Sequence, residues 1–181
     1  LTALIESQFD GLYCSVMLLD ADGIHLHPGA GPRLPESYLQ SLDGLSIGPC
    51  AGSCGTAIHD DRTVIVEDLS TDPLWADFRT LMAPYGFRAC WSEPIHAAGQ
   101  GVIGSFAMYY REQRRPSTDE LTALRTASHL AGELFKTMAR VDMTHVPYKG
   151  RQFFLPDLLG GSIQLVFDNM PSALPMAREG K

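Results

Sequence analysis

RACWSEPIHAAGQGVIGSFAMYY, residues 88–110, holds the two clearest strand patterns of the chain. Residues 102–110 are rich in β-branched and aromatic side chains, and Gly99-Gln100-Gly101 joins them to residues 88–96 through a typical hairpin turn. In 102–110, apolar side chains occupy both alternating sets: Ile103, Ala107 and Tyr109 on one side, and Phe106, Met108 and Tyr110 on the other. Such a strand needs cover on both faces. The segment therefore predicts a hairpin inside a sheet that has a layer packed on each side.

The segments on either side of this hairpin predict the rest of the sheet and its covering helices. Residues 1–9 have apolar side chains at helical spacing, and residues 12–19 and 24–27 predict a second hairpin around an Asp-Gly turn. Ser117 opens a helix-start signature, and apolar residues then recur at helical spacing to about Met138. This order predicts an α+β fold: one antiparallel sheet with the terminal helices on one face and the middle helices and loops on the other.

The middle of the chain is predicted as short elements separated by Gly-rich and Pro-rich loops. They are loops over 28–35 and 46–54, short helices over 35–42 and 55–59, a strand over 63–67 and a helix over 75–85. Gly86 is expected to end the last of these helices, because glycine readily adopts the left-handed conformation that follows a helix.

Composition and charge argue against several classes of protein. Of the 181 residues, 45% are hydrophobic and 19% charged, which is typical of a globular protein with one ordinary domain and a remainder. A formal net charge of -7 argues against nucleic acid as a partner. No apolar run reaches the roughly 18 residues that would span a bilayer, so no membrane partner is predicted. Four cysteines are too few for a disulfide scaffold in a chain this long, which predicts a cytoplasmic protein.

Five short segments between residues 10 and 138 are distinctive: Gly52-Ser53-Cys54-Gly55-Thr56-Ala57, Val66-Glu67-Asp68-Leu69, Asp72-Pro73-Leu74-Trp75, Gly86-Phe87-Arg88-Ala89-Cys90-Trp91-Ser92-Glu93-Pro94-Ile95 and Gly104-Ser105-Phe106-Ala107-Met108-Tyr109-Tyr110. Together they resemble the GAF family, and more closely the GAF domains attached to bacterial cyclic-di-GMP enzymes and sensor kinases. The resemblance implies a GAF-like antiparallel sheet of about six strands with helices on both faces, and a sensory domain over residues 1–140.

The resemblance also implies a function. A GAF domain of this kind binds a small molecule or dimerises, catalyses no reaction itself, and passes a shift through its terminal helices to an effector. We expect that effector to lie outside this chain, and neither the small molecule nor any cofactor can be named from the sequence. The apolar stripes of residues 1–9 and 121–138 predict a homodimer through these helices.

The chain changes character at about Val141. Three segments, Thr144-His145-Val146-Pro147-Tyr148-Lys149-Gly150, Asp157-Leu158-Leu159-Gly160-Gly161 and Phe167-Asp168-Asn169-Met170, resemble the tripartite tricarboxylate transporter solute-binding (Bug) family. The resemblance implies a tail over residues 141–181 that is a short βαβα-type piece of one lobe of such a protein. Because a solute cleft needs two lobes, a solute-binding fragment is only an alternative interpretation. All of the net charge of -7 lies in residues 1–140, which supports a boundary there.

Cys54 and Cys90 are the candidates for chemistry. One starts a helix after the second Gly-rich loop and the other starts a central strand, so the fold can bring them together, and a helix N-terminus favours a thiolate. Three interpretations stay open: inert buried thiols, a redox pair, or a metal site. An alternative function is a thiol-based enzyme of the free methionine sulfoxide reductase type. In those enzymes the catalytic cysteine lies well upstream of the strand proline, whereas Cys90 stands four residues before Pro94.

Trp75, Phe78, Arg88 and Trp91 complete the predicted ligand site with Cys54 and Cys90, between the sheet and the middle helices. An arginine among aromatic rings suits a planar or anionic ligand. The alternative is that both tryptophans belong to the core and that Arg88 pairs with Glu93 or with an aspartate in residues 68–77. No catalytic triad, phosphate-binding loop or metal-spaced histidine cluster is present in the sequence, so no catalytic or metal residue is predicted.

Overall fold

The computed structural model describes residues 1–97 and 99–139, with side chains to residue 135. These residues form one antiparallel sheet of six strands in the order β3-β2-β1-β6-β5-β4. The α+β fold with its six-stranded sheet is therefore confirmed. The predicted βαβα tail over 141–181 lies outside the described residues, and the domain boundary near residue 140 stays a prediction.

The helices and strands follow the order that the sequence predicts. The strands are β1 Tyr13–Leu19, β2 His25–Ala30, β3 Leu45–Ser46, β4 Val64–Val66, β5 Ala89–Ala97 and β6 Gly101–Tyr110. The helices are α1 Thr2–Glu6, α2 Glu36–Leu42, α3 Gly52–Asp60, α4 Arg79–Met82 and α5 Thr118–Ala139, and 3₁₀ turns cover Pro73–Phe78 and Ala83–Tyr85. None of the helices in the described part of the chain is long and apolar enough to cross a bilayer.

The predicted hairpin of β5 and β6 is the centre of the sheet. Its register pairs Cys90 with Tyr109 and Trp91 with Met108, so neighbouring residues of each strand point to opposite faces. One face packs on α1 and α5, and we call it the helix face. The other packs on α2, α3 and the 3₁₀ turns, and we call it the cavity face. The cover on both faces that the sequence predicts is thus confirmed.

The structure corrects three details of the predicted elements. Pro28 belongs to β2 rather than to a loop. In the described residues β3 pairs with His25 and Leu26 but not with Pro28, so the edge of β2 at Pro28 tolerates a residue without an N–H. The segment 75–85 is not one helix but two 3₁₀ turns around α4, with Pro84 removing a helical donor. Ile103 packs with the helix face, because the register shifts between Ile95 and His96 opposite it.

The fourth correction concerns α3, which begins at Gly52, three residues before the predicted start. Gly52 has φ +62°, a conformation that glycine adopts without strain. The Thr56 hydroxyl accepts a hydrogen bond from the Ala51 N–H at 3.1 Å, which fastens the start of the helix. As a result Cys54 lies inside the first turn of α3, facing the sheet.

Candidate functional site

A small cavity lies on the cavity face, between the sheet and the α3 and 3₁₀ segments. Its volume is about 30 Å³. Since a water molecule needs roughly 10 to 15 Å³ by this kind of measure, the cavity has room for about two waters or a molecule of that size. The lining residues are Met17, Leu26, Tyr38, Leu42, Leu45, Ala51, Gly52, Ser53, Cys54, Gly55, Trp75, Phe78 and Tyr109.

Trp75 is held against α3 by a chain of hydrogen bonds. Its indole Nε1 donates to the Ser53 hydroxyl at 2.9 Å, and that hydroxyl donates to the Cys90 carbonyl at 3.2 Å. A Cβ on Gly52 would lie 3.5 Å from the Trp75 ring, an ordinary contact distance, so the ring lies directly against the start of α3. Phe78 meets Trp75 edge to face, with ring centroids 6.1 Å apart. These contacts fix one wall of the cavity.

The Cys54 thiol projects from α3 into a group of hydroxyls on the sheet. Its sulfur lies 3.4 Å from the Ser92 hydroxyl and 3.6 Å from the Tyr109 hydroxyl. Hydrogen bonding with the adjacent Cys90 side chain lowers the pKa of Cys54 most; burial opposes this, and the hydroxyls of Ser92, Tyr109 and Ser105 lower the pKa further. Cys54 is partly exposed, so this thiol is both polarised and reachable from the cavity.

Cys90 lies behind Cys54 and is fully buried. Its sulfur is 3.8 Å from the same Ser92 hydroxyl that Cys54 contacts. Burial, and then the hydrogen bond and charge of Cys54, raise the pKa of Cys90 well above its usual value. The two thiols therefore form an asymmetric pair, in which the outer one ionises readily and the inner one keeps its proton.

Two tyrosines complete the polar part of the cavity. The Tyr109 hydroxyl lies 3.1 Å from the Ser15 hydroxyl as well as near Cys54. The buried Tyr38 hydroxyl has no hydrogen-bond partner at contact distance within residues 1–97 and 99–135. Burial raises the pKa of Tyr38 well above its usual value, although the nearby Tyr109 hydroxyl counteracts part of this shift. Tyr38 thus stays a neutral phenol beside Tyr109 in the lining of the cavity.

The structure brings together four of the six predicted site residues. Cys54, Trp75 and Phe78 line the cavity, and Cys90 lies directly behind Cys54. Arg88 instead pairs with Asp68, N to O distance 3.1 Å, which is the ion pair weighed as its alternative. Trp91 points to the helix face, where its ring lies 5.1 Å from that of Tyr110. Neither of these two lines the cavity, and a ligand contact through them stays a prediction.

Sequence reasoning missed Tyr38, Tyr109 and the serines of the cavity face. A signal for them was present, since Ser92 and Ser105 interrupt otherwise apolar strands at positions that point to the same side as Cys90 and Tyr109. Buried polar side chains on a central strand need a partner or a purpose. Tyr38 carried no such signal, because its place over the sheet depends on how α2 packs.

The first turn of α5 is tied to the end of β6 on the helix face. The Tyr110 hydroxyl donates to a Glu120 carboxylate oxygen at 2.6 Å, and Arg114 donates to the same oxygen at 2.8 Å. Ser117 and Glu120 exchange backbone and side-chain hydrogen bonds in the capping box that the sequence predicts. Tyr109, which lines the cavity, and Tyr110, which contacts α5, are thus neighbours in β6 that point to opposite faces of the sheet.

In the part of the chain that the structure describes, no group of three or more His, Cys, Asp or Glu side chains is placed to hold an ion. His27 is bracketed by Asp43 and Asp20, and the hydrogen bond to Asp43 raises its pKa against the effect of desolvation. That cluster lies on the surface, away from the cavity lining.

Comparisons with known proteins identify the family. The family model of the GAF domain matches residues 1–134, and the chain belongs to this family. A second family model, the tripartite tricarboxylate transporter family receptor, matches residues 121–181. Both predicted resemblances are thus confirmed, and the second begins about twenty residues earlier than predicted, inside α5.

Individual known proteins are similar to this chain, one in sequence and two in fold. The methyl sulfide methyltransferase-associated sensor of Methanosarcina acetivorans is 39% identical over 127 residues, which is 70% of this chain and 13% of that protein's length. The domain of a putative two-component sensor histidine kinase protein from Sinorhizobium meliloti superposes with TM-score 0.62 at 20% identity, over 76% of this chain and 87% of that one. The type II free methionine-R-sulfoxide reductase of Thermoplasma acidophilum superposes with TM-score 0.58 at 16% identity, over 75% and 87%.

Proposed function

We propose that the GAF domain of this chain is a sensory module whose cavity responds to a small molecule and whose terminal helices transmit the response. The observation that carries the proposal is the arrangement of β6. Tyr109 lines the cavity, and the next residue, Tyr110, holds the start of α5 through Glu120. A change at the cavity that moves β6 would therefore also move α5 on the opposite face, through the contact between Tyr110 and Glu120. The resemblance to a protein named as a sensor supports this function.

The mechanism is a shift between two packings of the terminal helices on the sheet. The contact between α5 and β5 is tight, because a Cβ on Gly132 would overlap the His96 carbonyl oxygen. The Ser128 hydroxyl also donates to the Pro94 carbonyl at 2.5 Å. Closely packed surfaces of this kind slide or separate as units rather than deforming gradually. A displacement of β5 and β6 would therefore move α5 as a body.

The module itself is non-catalytic in this proposal and acts in the cytoplasm as a homodimer. Leu4 on α1 and Leu130 and Leu134 on α5 are exposed by 43% to 63% of their surface, which gives the terminal helices an apolar patch suited to a second copy. The effector would be a separate domain or chain, such as a cyclic-di-GMP enzyme or a sensor kinase. No nucleic acid or membrane takes part.

One observation favours a second candidate function, a thiol-based reductase. The Cys54 thiol has a lowered pKa and lies beside a second thiol, which is the arrangement that a catalytic cysteine needs. The fold is shared with free methionine-R-sulfoxide reductases. A cavity with room for about two waters is too small for a methionine sulfoxide molecule, however, and this favours the sensory function.

Native mass spectrometry of the purified protein tests the sensory proposal. We expect a retained small molecule, seen as an excess over the denatured mass. Ala51→Leu, which fills the cavity from its lining, should abolish the excess. Ala76→Leu makes the same change at an exposed position outside the lining and should retain it. If the native mass equals the denatured mass for each of the three proteins, the result would count against a stably bound ligand.

A sedimentation experiment tests the homodimer. We expect the wild-type chain to sediment as a dimer at micromolar concentration, and Leu130→Glu with Leu134→Glu to sediment as a monomer, because charges on the apolar patch oppose its burial. Ile24→Glu changes a side chain that is 49% exposed on the β1–β2 turn, and it should leave the dimer intact. A wild-type monomer under these conditions would contradict the proposal.

A further inference from the structure

The thiol pair and the hydroxyls around the cavity form one reactive group. We propose that Cys54 is a peroxide-reactive thiol and that Cys90 resolves it, so that hydrogen peroxide or another small hydroperoxide converts the pair into a disulfide. The inference deepens the sensory function proposed above by naming what the cavity responds to, and it rests on that function for its biological meaning. The chemistry itself can be tested separately.

The site has the size and the access that a small peroxide requires. The cavity of about 30 Å³ fits a molecule of two heavy atoms, and Cys54 is the one cysteine among its lining residues. Larger ligands would have to displace the Trp75 and Phe78 wall. The other described cysteines differ in position: Cys14 and Cys90 are buried, whereas Cys50 is exposed on the surface.

The polar side chains around the cavity match the needs of the reaction. The hydroxyls of Ser92 and Tyr109 lie 3.4 Å and 3.6 Å from the Cys54 sulfur, and hydrogen bonds of this kind favour the thiolate, which is the nucleophile. Tyr38, fully buried, lines the same cavity next to the Tyr109 hydroxyl. This hydroxyl can hydrogen-bond to a peroxide oxygen and stabilise the charge that develops on it.

The proposed reaction has two balanced steps. The Cys54 thiolate gives an electron pair to one peroxide oxygen, the O–O bond breaks, and the hydroxide that leaves takes the proton released by the thiol; Cys54 becomes a sulfenic acid and one water forms. The Cys90 sulfur then attacks the Cys54 sulfur, the S–O bond breaks, and the departing hydroxide takes the Cys90 proton as a second water. Peroxide is reduced, and the two thiols are oxidised to a disulfide.

The short path between the sulfurs supports the second step. Both contact the Ser92 hydroxyl, at 3.4 Å and 3.8 Å, and each thiol shifts the pKa of the other, as expected of adjacent side chains. Cys90 keeps its proton until the sulfenic acid forms beside it, because burial and the Cys54 charge raise its pKa. The disulfide would remove the Cys54 sulfur from Tyr109, the residue that precedes the α5 anchor Tyr110.

The test is to treat the reduced full-length protein with a slight excess of hydrogen peroxide and to follow each cysteine by peptide mass mapping. We expect a Cys54–Cys90 disulfide, with Cys54 oxidised about tenfold or more faster than the exposed Cys50. Cys90→Ser should stop at a sulfenic acid on Cys54 that dimedone traps, and Cys54→Ser should leave Cys90 reduced. Cumene hydroperoxide, which is too large for the cavity, should react with Cys54 more slowly than hydrogen peroxide does.

Three results would overturn the proposal. Oxidation of Cys54 no faster than Cys50 in the wild-type protein would show that the cavity does not activate the thiol, and this result needs no variant to fold. A sulfenic acid that persists in the wild-type protein would remove the role of Cys90. Catalytic consumption of free methionine sulfoxide with a thiol reductant would support the reductase instead. Failure of the peroxide reaction together with a retained small molecule would leave the sensory function standing.

Discussion

The two faces of the sheet are covered to the same extent but are built from different chemistry. Toward α5, the helix face presents mainly apolar side chains from β5 and β6: Trp91, Ile95, Phe106 and Met108. Toward the cavity, the same two strands present thiol and hydroxyl side chains: Cys90, Ser92, Ser105 and Tyr109. All eight are at most 1% exposed. Because successive side chains of β5 and β6 point to opposite faces, this one hairpin forms an apolar packing surface on one side and a polar surface on the other.

This difference separates stability from function. Burying hydroxyls costs free energy unless each finds a partner, and in the described residues the buried Ser105 hydroxyl has only the weakly hydrogen-bonding Cys54 thiol to interact with. Buried hydroxyl side chains are unfavourable for stability, and they are expected where a face of the sheet serves a function rather than packing. The helix face also buries two polar atoms without a partner in the described residues, Trp91 Nε1 and one Glu6 carboxylate oxygen, but most of its side chains are apolar. The predictions below test whether the faces can be perturbed independently.

The largest expected effect is on the stability of the helix face. Leu124→Ala removes a fully buried side chain from α5 and should lower the free energy of unfolding by about 2 to 5 kcal/mol. Leu45→Ala, on a half-buried side chain of the cavity lining, should cost clearly less. Urea unfolding of both variants measures the difference. Equal losses would show that the two faces contribute alike.

A smaller effect is expected at the α5 anchor. Glu120→Gln weakens the capping box and the bonds from Tyr110 and Arg114, and should lower stability by about 1 kcal/mol at neutral pH. Burial alone would raise the pKa of Glu120, but hydrogen bonds from Ser117 and Tyr110 and the charge of Arg114 hold it below its usual value of 4.5.

The sign of the pH dependence follows from this lowered pKa. A carboxylate with a depressed folded-state pKa stabilises the fold above its unfolded pKa, and that contribution is lost as the pH falls through the folded value. The difference in stability between wild type and Glu120→Gln should therefore be constant near neutral pH and shrink below about pH 4.5. A difference that grows on acidification would mean that the Glu120 carboxylate does not carry the anchor.

The smallest effect on stability is expected on the cavity face. Ser105→Ala removes a buried hydroxyl whose interaction in the described residues is with the Cys54 thiol, a weak hydrogen-bonding group, so the free energy of unfolding should stay within about 0.5 kcal/mol of wild type or rise. Ser128→Ala on the helix face is the matched control, because its hydroxyl donates to the Pro94 carbonyl. That variant should lose about 1 kcal/mol. The reverse order would contradict the division between the two faces.

The sequence was informative where the pattern is local and strong. The β5–β6 hairpin, the capping box at Ser117 and the sheet with two covered faces all follow from periodicity and turn residues. Other placements depend on longer-range packing. Ile103 changes face through a register shift that only the pairing partner reveals, and Trp91 is an aromatic residue whose side of the sheet depends on the parity of β5.

The candidate site shows the same limit. Cys54 and Cys90 could be placed near each other because the GAF resemblance orders their segments, and Trp75 and Phe78 followed from the same source. Tyr38 reaches the cavity from α2, a helix that the sequence predicts with no indication of its orientation. Arg88 looked like a ligand anchor, yet its partner Asp68 lies twenty residues away and becomes apparent only once β5 is folded beside it.

Amide hydrogen exchange after selective modification of Cys54 tests the central claim most directly, namely that the cavity face communicates with α5. In a Cys50→Ser background, methyl methanethiosulfonate should transfer its methylthio group to Cys54, which gives a methyl disulfide and releases methanesulfinate, and mass spectrometry confirms the site. The account predicts faster exchange in the first turns of α5, residues 118–125, as well as in α3. A Cys54→Ser protein labelled at Cys50 should show no change in α5. Unchanged exchange in α5 despite full labelling of Cys54 would contradict the account.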